Sequence, residues 1–385
     1  MDLPLSDIRV IDLTQYEAGP TATQVLSWLG ADVIKIEPPQ GEPGRRLAGA
    51  TPARDSVFFT LFNQGKRSVV LDLTTTEGRA ELWELLQSAD VLAENFAPET
   101  LARFGLRLEQ LAREFPRLVL ASVRGYASGG PWSAWKSLDF VAQATGGAMS
   151  MTGEPDGPPL RMGPTNADHS AGNHLALGIL AALHRRARTG RGGRVEVALQ
   201  DVVVGSLRTA LVPMYVTGEV VRRRGADYPD VAPSGLHPCA PGGPNDYVYL
   251  LLSSKEQWSA LLVAIEREDL LEDPRYARQS QRNAREAELR EVVSAWTRKR
   301  GKLEAMERLS RAGVPCGAVL DSGEVLANEQ LRATGMVVRH VHPQWGELFV
   351  PGCPIRIDGE RPRLEPAPAL GAHTAEVLGR RAETS

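Results

Sequence analysis

Long apolar runs are missing from this chain of 385 residues. No stretch approaches the length that spans a bilayer, and the N-terminus lacks a basic-then-apolar signal pattern, so no membrane association is expected. Cysteine is scarce: Cys239, Cys316 and Cys353 are far apart, odd in number and in no metal-ligand spacing. That excludes a disulfide framework and fits a reduced, cytoplasmic compartment. Charge of one sign is also missing, since 44 basic against 47 acidic residues leave a net charge of −3. No nucleic-acid footprint follows from such a balance.

Several catalytic signatures are absent as well. No GxGxxG follows the first predicted strand, so a nicotinamide dehydrogenase is not supported. There is no GxSxG elbow and no HExxH pair. Gln64-Gly65-Lys66-Arg67-Ser68 lacks the upstream glycine of a phosphate loop, and Thr189 to Gly193 follows a helix, the wrong context for cradling phosphate. The histidines are scattered, and His169 points away from its neighbour Asp168 if both lie on a helix. No metal site is expected.

What is present is an α/β rhythm. Strands are predicted at Arg9–Leu13, Asp32–Ile36, Ser68–Leu73, Val91–Ala93 and Leu118–Val123. Between them lie a helix opened by Pro20, a helix over Thr75–Leu86 and helical pieces at Pro98–Phe104 and Leu108–Glu114. Strand–helix–strand units of this period predict a doubly wound parallel sheet. Glu37–Arg54, rich in Pro, Gly and Arg, reads as a loop. Tyr126–Gly163 carries Gly129-Gly130-Pro131, Gly146-Gly147 and Gly157-Pro158-Pro159 around a helix at Leu138–Ala144, and such loops either bind ligands or simply connect. A helix is predicted over Asp201–Val216, then an irregular linker over Arg222–Gly243. Tyr247–Leu252 opens a separate unit, with helices at Lys255–Arg267, Ala284–Arg300 and Lys302–Ala312 and a strand at Gly317–Leu320. A helix at Gly323–Arg332 and a Pro-rich tail ending in a helix at Thr374–Arg381 complete the chain.

The stretch from Thr165 to Asp201 stands out. Ala171, Leu175, Ile179, Ala182 and Leu183 fall on one helical face, with Asp168 at or just before the N-terminus. Gly172 and Gly178 are poor helix formers, so backbone or ligand is expected to approach them closely. Asp168 reads either as an N-cap or as a nucleophile held ionised by the helix terminus, and local sequence does not choose between them.

Taken together, the signatures resemble the family III CoA-transferases, which also include the α-methylacyl-CoA racemases. They are Arg9-Val-Ile-Asp-Leu-Thr followed by Ala18-Gly19-Pro20, Leu29-Gly-Ala-Asp-Val-Ile-Lys-Ile-Glu37, Phe62-Asn-Gln-Gly-Lys-Arg-Ser-Val-Val-Leu-Asp72 and Glu94-Asn95-Phe96. Ser122-Val-Arg-Gly-Tyr126, Gly153-Glu-Pro-Asp-Gly-Pro-Pro159, the Asp168 helix with Thr189-Gly-Arg-Gly192 and Gly313-Val-Pro-Cys316 continue them in order. The resemblance implies a Rossmann-like large domain built from both chain ends, a smaller α/β domain and an interlocked-ring homodimer. The expected layout is 1–205 for the N-terminal part of the large domain, 206–246 as linker, 247–320 as the small domain and 321–385 as linker and return.

It also implies a mechanism in which Asp168 attacks an acyl-CoA thioester, giving an acyl-aspartyl anhydride that passes its acyl group on, so that CoA ends on a small carboxylic acid. CoA and acyl-CoA are then substrates, and no permanently bound cofactor is expected. By position, Gln15, Tyr16, Glu17 and Ala18 run beside the thioester, with Glu17 in the catalytic centre, while Asn95, Phe96, Arg103 and Lys136 contact CoA. Two departures matter. Glu17 stands where formyl-CoA:oxalate transferases carry Gln, and a carboxylate facing Asp168 must be protonated, turned away or paired with substrate. That weakens an oxalate assignment and favours a donor such as succinyl-CoA or acetyl-CoA with a small organic acid acceptor. Thr74 stands where those transferases have Lys, which puts that CoA contact in doubt. The racemases place a His before the aspartate corresponding to Asp139; here Leu138, which cannot carry a proton, favours transfer over racemisation.

Overall fold

The computed structural model describes residues 3–228 and 230–379, divided into two compact units. The first unit is Met1–Ser150, Arg161–Val221 and Gln330–Ser385; the second is Met151–Leu160 and Arg222–Glu329.

The first unit is built on six parallel strands: β1 (Arg9–Asp12), β2 (Asp32–Glu37), β3 (Arg67–Val70), β4 (Val91–Glu94), β5 (Val119–Arg124) and β6 (Gly193–Ala198). Their spatial order is β3-β2-β1-β4-β5-β6, the doubly wound order, which reverses direction between β1 and β4. Successive side chains of a strand point to opposite faces, and both faces are covered on β1 to β5, whereas Arg194 and Glu196 of the edge strand β6 are exposed. Val10, Val33, Val91 and Val119 pack on α1 (Ala18–Trp28), and their neighbours Ile11, Ile34, Leu92 and Leu120 pack on the opposite face. That second face is closed by leucines of further helices, which include α3 (Thr76–Leu86), α4 (Pro98–Arg103) and α5 (Leu108–Glu114). A short helix, α2 (Val57–Phe62), precedes β3, and α6 (Asp139–Thr145) follows β5. The long helix α7 (Asn166–Thr189) lies on the α1 side, ending in Gly190 at φ 72°, a left-handed position that suits glycine.

Gly172 and Gly178 explain themselves here. A Cβ on Gly172 would come within 2.5 Å of Thr21 Cβ and 2.6 Å of the Ala18 carbonyl oxygen, and one on Gly178 within 2.5 Å of Val195 Cγ1. The close approach is protein, not ligand. It seats the N-terminus of α1 against the first turns of α7.

Several elements differ from expectation. The helix expected over Asp201–Val216 is two, α8 (Leu199–Ser206) and α9 (Val212–Thr217), the second with Pro213 in its first turn. The expected loop Glu37–Arg54 has a buried centre: Arg45, 1% exposed, donates twice to Glu37 (2.6 and 2.7 Å) and once to Asp55 (2.7 Å). The expected Pro-rich tail contains an antiparallel pair, Val337–His342 with Gly346–Pro351. The final helix covers Thr374–Val377, and the end of its predicted span lies outside the described residues. The C-terminal segment runs along β3, where Thr374 Oγ1 accepts from the Val70 N–H (3.0 Å).

The second unit has its own core around a three-stranded antiparallel sheet, Gly235–Pro238, Tyr247–Leu250 and Cys316–Ala318. Gly235–Pro238 falls inside the span expected to be linker. Trp258, Leu261, Leu289, Val293, Ala305 and Leu309 from three helices pack against this sheet.

Candidate active site

Ligands of open α/β sheets bind beyond the carboxyl ends of the strands where the strand order reverses. In this fold that point lies between β1 and β4. The segment leaving β1, Leu13–Glu17, is pinned from beneath by a buried polar knot. Asp12 Oδ1 accepts from the Thr14 N–H (2.8 Å) and hydroxyl (2.5 Å), and Oδ2 accepts from Thr23 (2.8 Å) and Lys66 (3.0 Å). Lys66 Nζ also donates to Asn63 Oδ1 (2.9 Å) and the Pro20 carbonyl (3.2 Å), and Lys35 Nζ donates to the Thr14 carbonyl (2.8 Å). Burial pushes the Asp12 carboxyl up, but Lys66, Lys35 and the Thr14 donors together hold it down at about 2. Burial lowers the Lys66 ammonium to about 8 against the pull of Asp12.

Asn95, just past β4, spans the reversal point. Its amide nitrogen donates to the Gln15 carbonyl (2.8 Å) while its oxygen accepts from the Gln15 N–H (2.9 Å). The predicted site residue Asn95 thus spends its side chain holding Gln15 in place. Tyr16 sits at φ 62°, strained for a bulky residue, with its ring half-exposed and its N–H donating to Glu42 Oε2 (3.3 Å). Such an outlier turns the chain sharply at the point where Glu17 and Ala18 enter α1.

Glu17 directly precedes α1 and is 6% exposed. Its Oε1 accepts from the Thr165 hydroxyl at 2.5 Å. Thr165 occupies the N-cap position of α7, yet its side chain bonds Glu17 rather than the helix. Asp168 is therefore not an N-cap: it is the third residue of α7, and its own N–H donates to Asp139 Oδ2 (3.0 Å). Asp139, the buried first residue of α6, is held in turn by Gln143 Nε2 at 2.6 Å through Oδ1. Gln143 Oε1 accepts from the Met162 N–H (2.9 Å), tying α6 to the segment that leads into α7.

Three carboxyl groups thus meet: Glu17, Asp139 and Asp168. Burial, then the charges of Glu17 and Asp139, raise Asp168 from its ordinary 3.8 to about 7. Glu17 is raised as well, by burial and by Asp139, against the Thr165 hydroxyl. Glu17 is consequently not turned away; its charge bears on Asp168. A carboxyl group poised near neutrality is suited to act as nucleophile or as acid and base. The first N–H groups of α1, at Ala18 and Gly19, follow Glu17 directly in the chain and have no acceptor within the helix, the kind of donor that can take up an oxyanion.

The other predicted residues divide. Gln15 and Phe96 line a cavity of about 710 Å³ at the carboxyl ends of β1 to β4, together with Thr74, Arg46, Thr100 and Phe104. Thr74 donates its hydroxyl to Asp72 Oδ1 (2.5 Å), and Phe96 meets Phe104 edge to face at 5.5 Å. Arg103 and Lys136 are exposed and outside that lining, and Arg103 donates to Thr100 Oγ1 (3.2 Å). Sequence reasoning missed Thr165, Gln143 and the role of Asp139. The Asp139–Gln143 spacing of four residues on a short helix was the available signal. Among the described residues no cluster of His, Cys, Asp and Glu suits a metal, and no helix is long and apolar enough to cross a membrane.

The chain is similar to known proteins along nearly its whole length. The model for "CoA-transferase family III" matches residues 5–374. The chain is 38% identical over 386 residues to a formyl-CoA:oxalate CoA-transferase of Streptomyces coelicolor, covering 97% of this chain and 94% of the relative. It is 36% identical over 401 residues to the Bradyrhizobium diazoefficiens protein of the same name, covering 98% and 93%. Among solved structures, a CaiB/BaiF family protein from Brucella suis superposes with a TM-score of 0.87 at 32% identity, covering 98% and 99%. The hypothetical protein Rv3272 of Mycobacterium tuberculosis gives a TM-score of 0.83 at 30% identity, covering 97% and 99%. A six-stranded parallel sheet carrying this carboxylate cluster, matched along nearly its whole length, belongs to the family III CoA-transferases.

Proposed function

We propose that this CoA-transferase moves CoA from an acyl-CoA thioester to a small carboxylic acid through an acyl anhydride on Asp168. The observation that carries this reading is the position of Asp168 in the first turn of α7, poised near neutrality beside Glu17, the residue that opens α1. The ionised carboxylate attacks the thioester carbonyl, the first N–H groups of α1 take up the developing oxyanion, and collapse expels CoA as a thiolate, a good leaving group. The acceptor carboxylate takes the acyl group from Asp168 and becomes a mixed anhydride. CoA thiolate attacks that anhydride at the acceptor's carbonyl, the carbon–oxygen bond to the donor's acyl group breaks, the donor acid leaves as its carboxylate, and the new thioester departs. The cavity lined by Gln15 and Phe96 suits part of CoA, with Asn95 fixing its rim.

Two acceptors compete. The names of the relatives supply oxalate. The cluster argues for acids with less charge, because no basic side chain offsets the negative charge that Glu17, Asp139 and Asp168 hold among them. A second carboxylate on the acceptor would add to that repulsion. Racemisation lacks a second acid/base group at Leu138, which is 72% exposed. Tyr215, Val216 and Val220, about four-fifths exposed, support burial in a homodimer of the interlocked type.

The test is a panel of acyl-CoA donors against mono- and dicarboxylates, formyl-CoA with oxalate included, read by mass spectrometry. Asp168→Asn and Asp168→Ala should lose exchange while still binding CoA, and the parent should show an acyl mass increment on the Asp168 peptide. Exchange by Asp168→Ala at the parent's rate would refute the mechanism. Exclusive use of formyl-CoA and oxalate would refute the charge argument on the acceptor.

A further inference from the structure

We propose that Glu17 and Asp168 hold one proton between them at neutral pH, and that the reactive form carries it on Glu17, whose carboxylic acid donates to the thioester oxygen as Asp168 attacks. This rests on the reading of Asp168 as the nucleophile.

The arrangement of charges forces such sharing. Asp168 and Thr165 face Glu17 from α7, and Asp139 faces both acids from α6. On the approach to α1, Glu42 is occupied by the Tyr16 and Gly44 N–H groups. Beneath it, Asp12, Lys66 and Lys35 are bound to one another's loops, and no cation acts on Glu17 or Asp168. Two acids crowded this way, with a third carboxylate beside them, do not both ionise at neutral pH. Their protons come off in steps that belong to the pair.

Geometry then favours Glu17 as the donor. Its Oε1 is taken by the Thr165 hydroxyl, while Oε2 has no hydrogen-bond partner among the described residues. A hydroxyl can donate to a carboxylate or accept from an acid, so Thr165 holds Glu17 in either state. With the proton on Glu17, Asp168 is an anion free to attack. The new bond joins an Asp168 oxygen to the acyl carbon, and the carbonyl π pair moves onto the oxygen that Glu17 contacts. When that pair returns, the carbon–sulfur bond breaks, sulfur leaves with its electrons, and the proton remains on Glu17.

The test compares the parent with Glu17→Gln and Glu17→Ala, using kcat and KM for one acyl-CoA and carboxylate pair between pH 5 and 10. Glu17→Ala, checked for folding by circular dichroism, should lower kcat by about 10²–10³-fold, the usual loss of an oxyanion donor. Glu17→Gln, a permanent donor, should stay within about tenfold of the parent, since the hydrogen bond is kept. The parent should slow on the alkaline side as Glu17 releases its proton; Glu17→Gln should not. On the acid side Glu17 is already neutral, so Glu17→Gln should keep the parent's acid limb and lose only the alkaline one. A merely structural Glu17 would leave the alkaline limb in place in both variants. If Glu17→Gln is as slow as Glu17→Ala, or keeps the parent's alkaline limb, the inference falls. Should the acyl–Asp168 adduct still form in that case, the nucleophile stands; no adduct in the parent would remove both.

Discussion

Asp139→Asn removes one negative charge from beside Asp168 and leaves nearly the same shape. Asp168 lies at about 7 instead of 3.8, and Asp139 is the smallest of the three influences, after burial and Glu17. The smallest of three shares of that rise is at most one third, so the acid limb of kcat/KM should move down by at most about one pH unit. At pH 6 a limb at about 7 leaves about a tenth of the enzyme ionised, and a limb at about 6 leaves about half, a gain of about fivefold. The variant loses one of two hydrogen bonds, since an amide oxygen cannot accept from both Gln143 and the Asp168 N–H as the carboxylate does. The ratio of kcat/KM at pH 6 to that at pH 8 within the same variant cancels this loss. Acyl-CoA turnover followed by liquid chromatography and mass spectrometry gives that ratio. An unchanged ratio, or a limb moving upward, would refute the electrostatic account of Asp168.

Gly172→Ala should destabilise the fold by about 1–3 kcal/mol, as overpacking does, because the new methyl meets Ala18 and Thr21 within 2.6 Å; urea denaturation checks it, and activity should fall with it. Asp168→Asn should abolish turnover yet raise the melting temperature at pH 8. The folded carboxyl is raised above its unfolded value, so its contribution is favourable below about 3.8 and lost as pH rises through about 7. The gain should vanish near pH 4, and an Asn variant melting lower at pH 8 would contradict this. His237 is buried against Ser294 and pushed down to about 4, chiefly by burial. Its folded value lies below the unfolded 6.5, so stability present above 6.5 is lost as pH falls toward 4. His237→Asn should flatten that part of the melting-temperature profile.

The parallel sheet was legible because its strands are short apolar runs punctuated by turn residues, and a strand buried on both faces cannot be written otherwise. Glycines at 172 and 178 announced a close approach, though not what approached. The hairpin at Val337–Pro351 was hidden by the prolines around it, and Val57–Phe62 by its brevity. At the site, Asp168 and Glu17 were found through resemblance rather than local chemistry. Thr165 and Gln143 were not, because their meaning lies in contacts 148 and 19 residues away along the chain, to Glu17 and Met162. Read alone, a threonine before a helix is a cap, and only the packing of α1 on α7 gives it another partner.

The knot of Asp12, Thr23, Asn63 and Lys66 beneath the Leu13–Glu17 strip has an energetic corollary. A surface strip of that length left loose would have to be frozen each time a thioester arrived, at about 1–2 kcal/mol of backbone entropy per residue. Here the freezing is done once, during folding, by ammonium and carboxylate contacts that never meet solvent. Substrate recognition can then draw its full interaction energy from a cradle already rigid before the encounter.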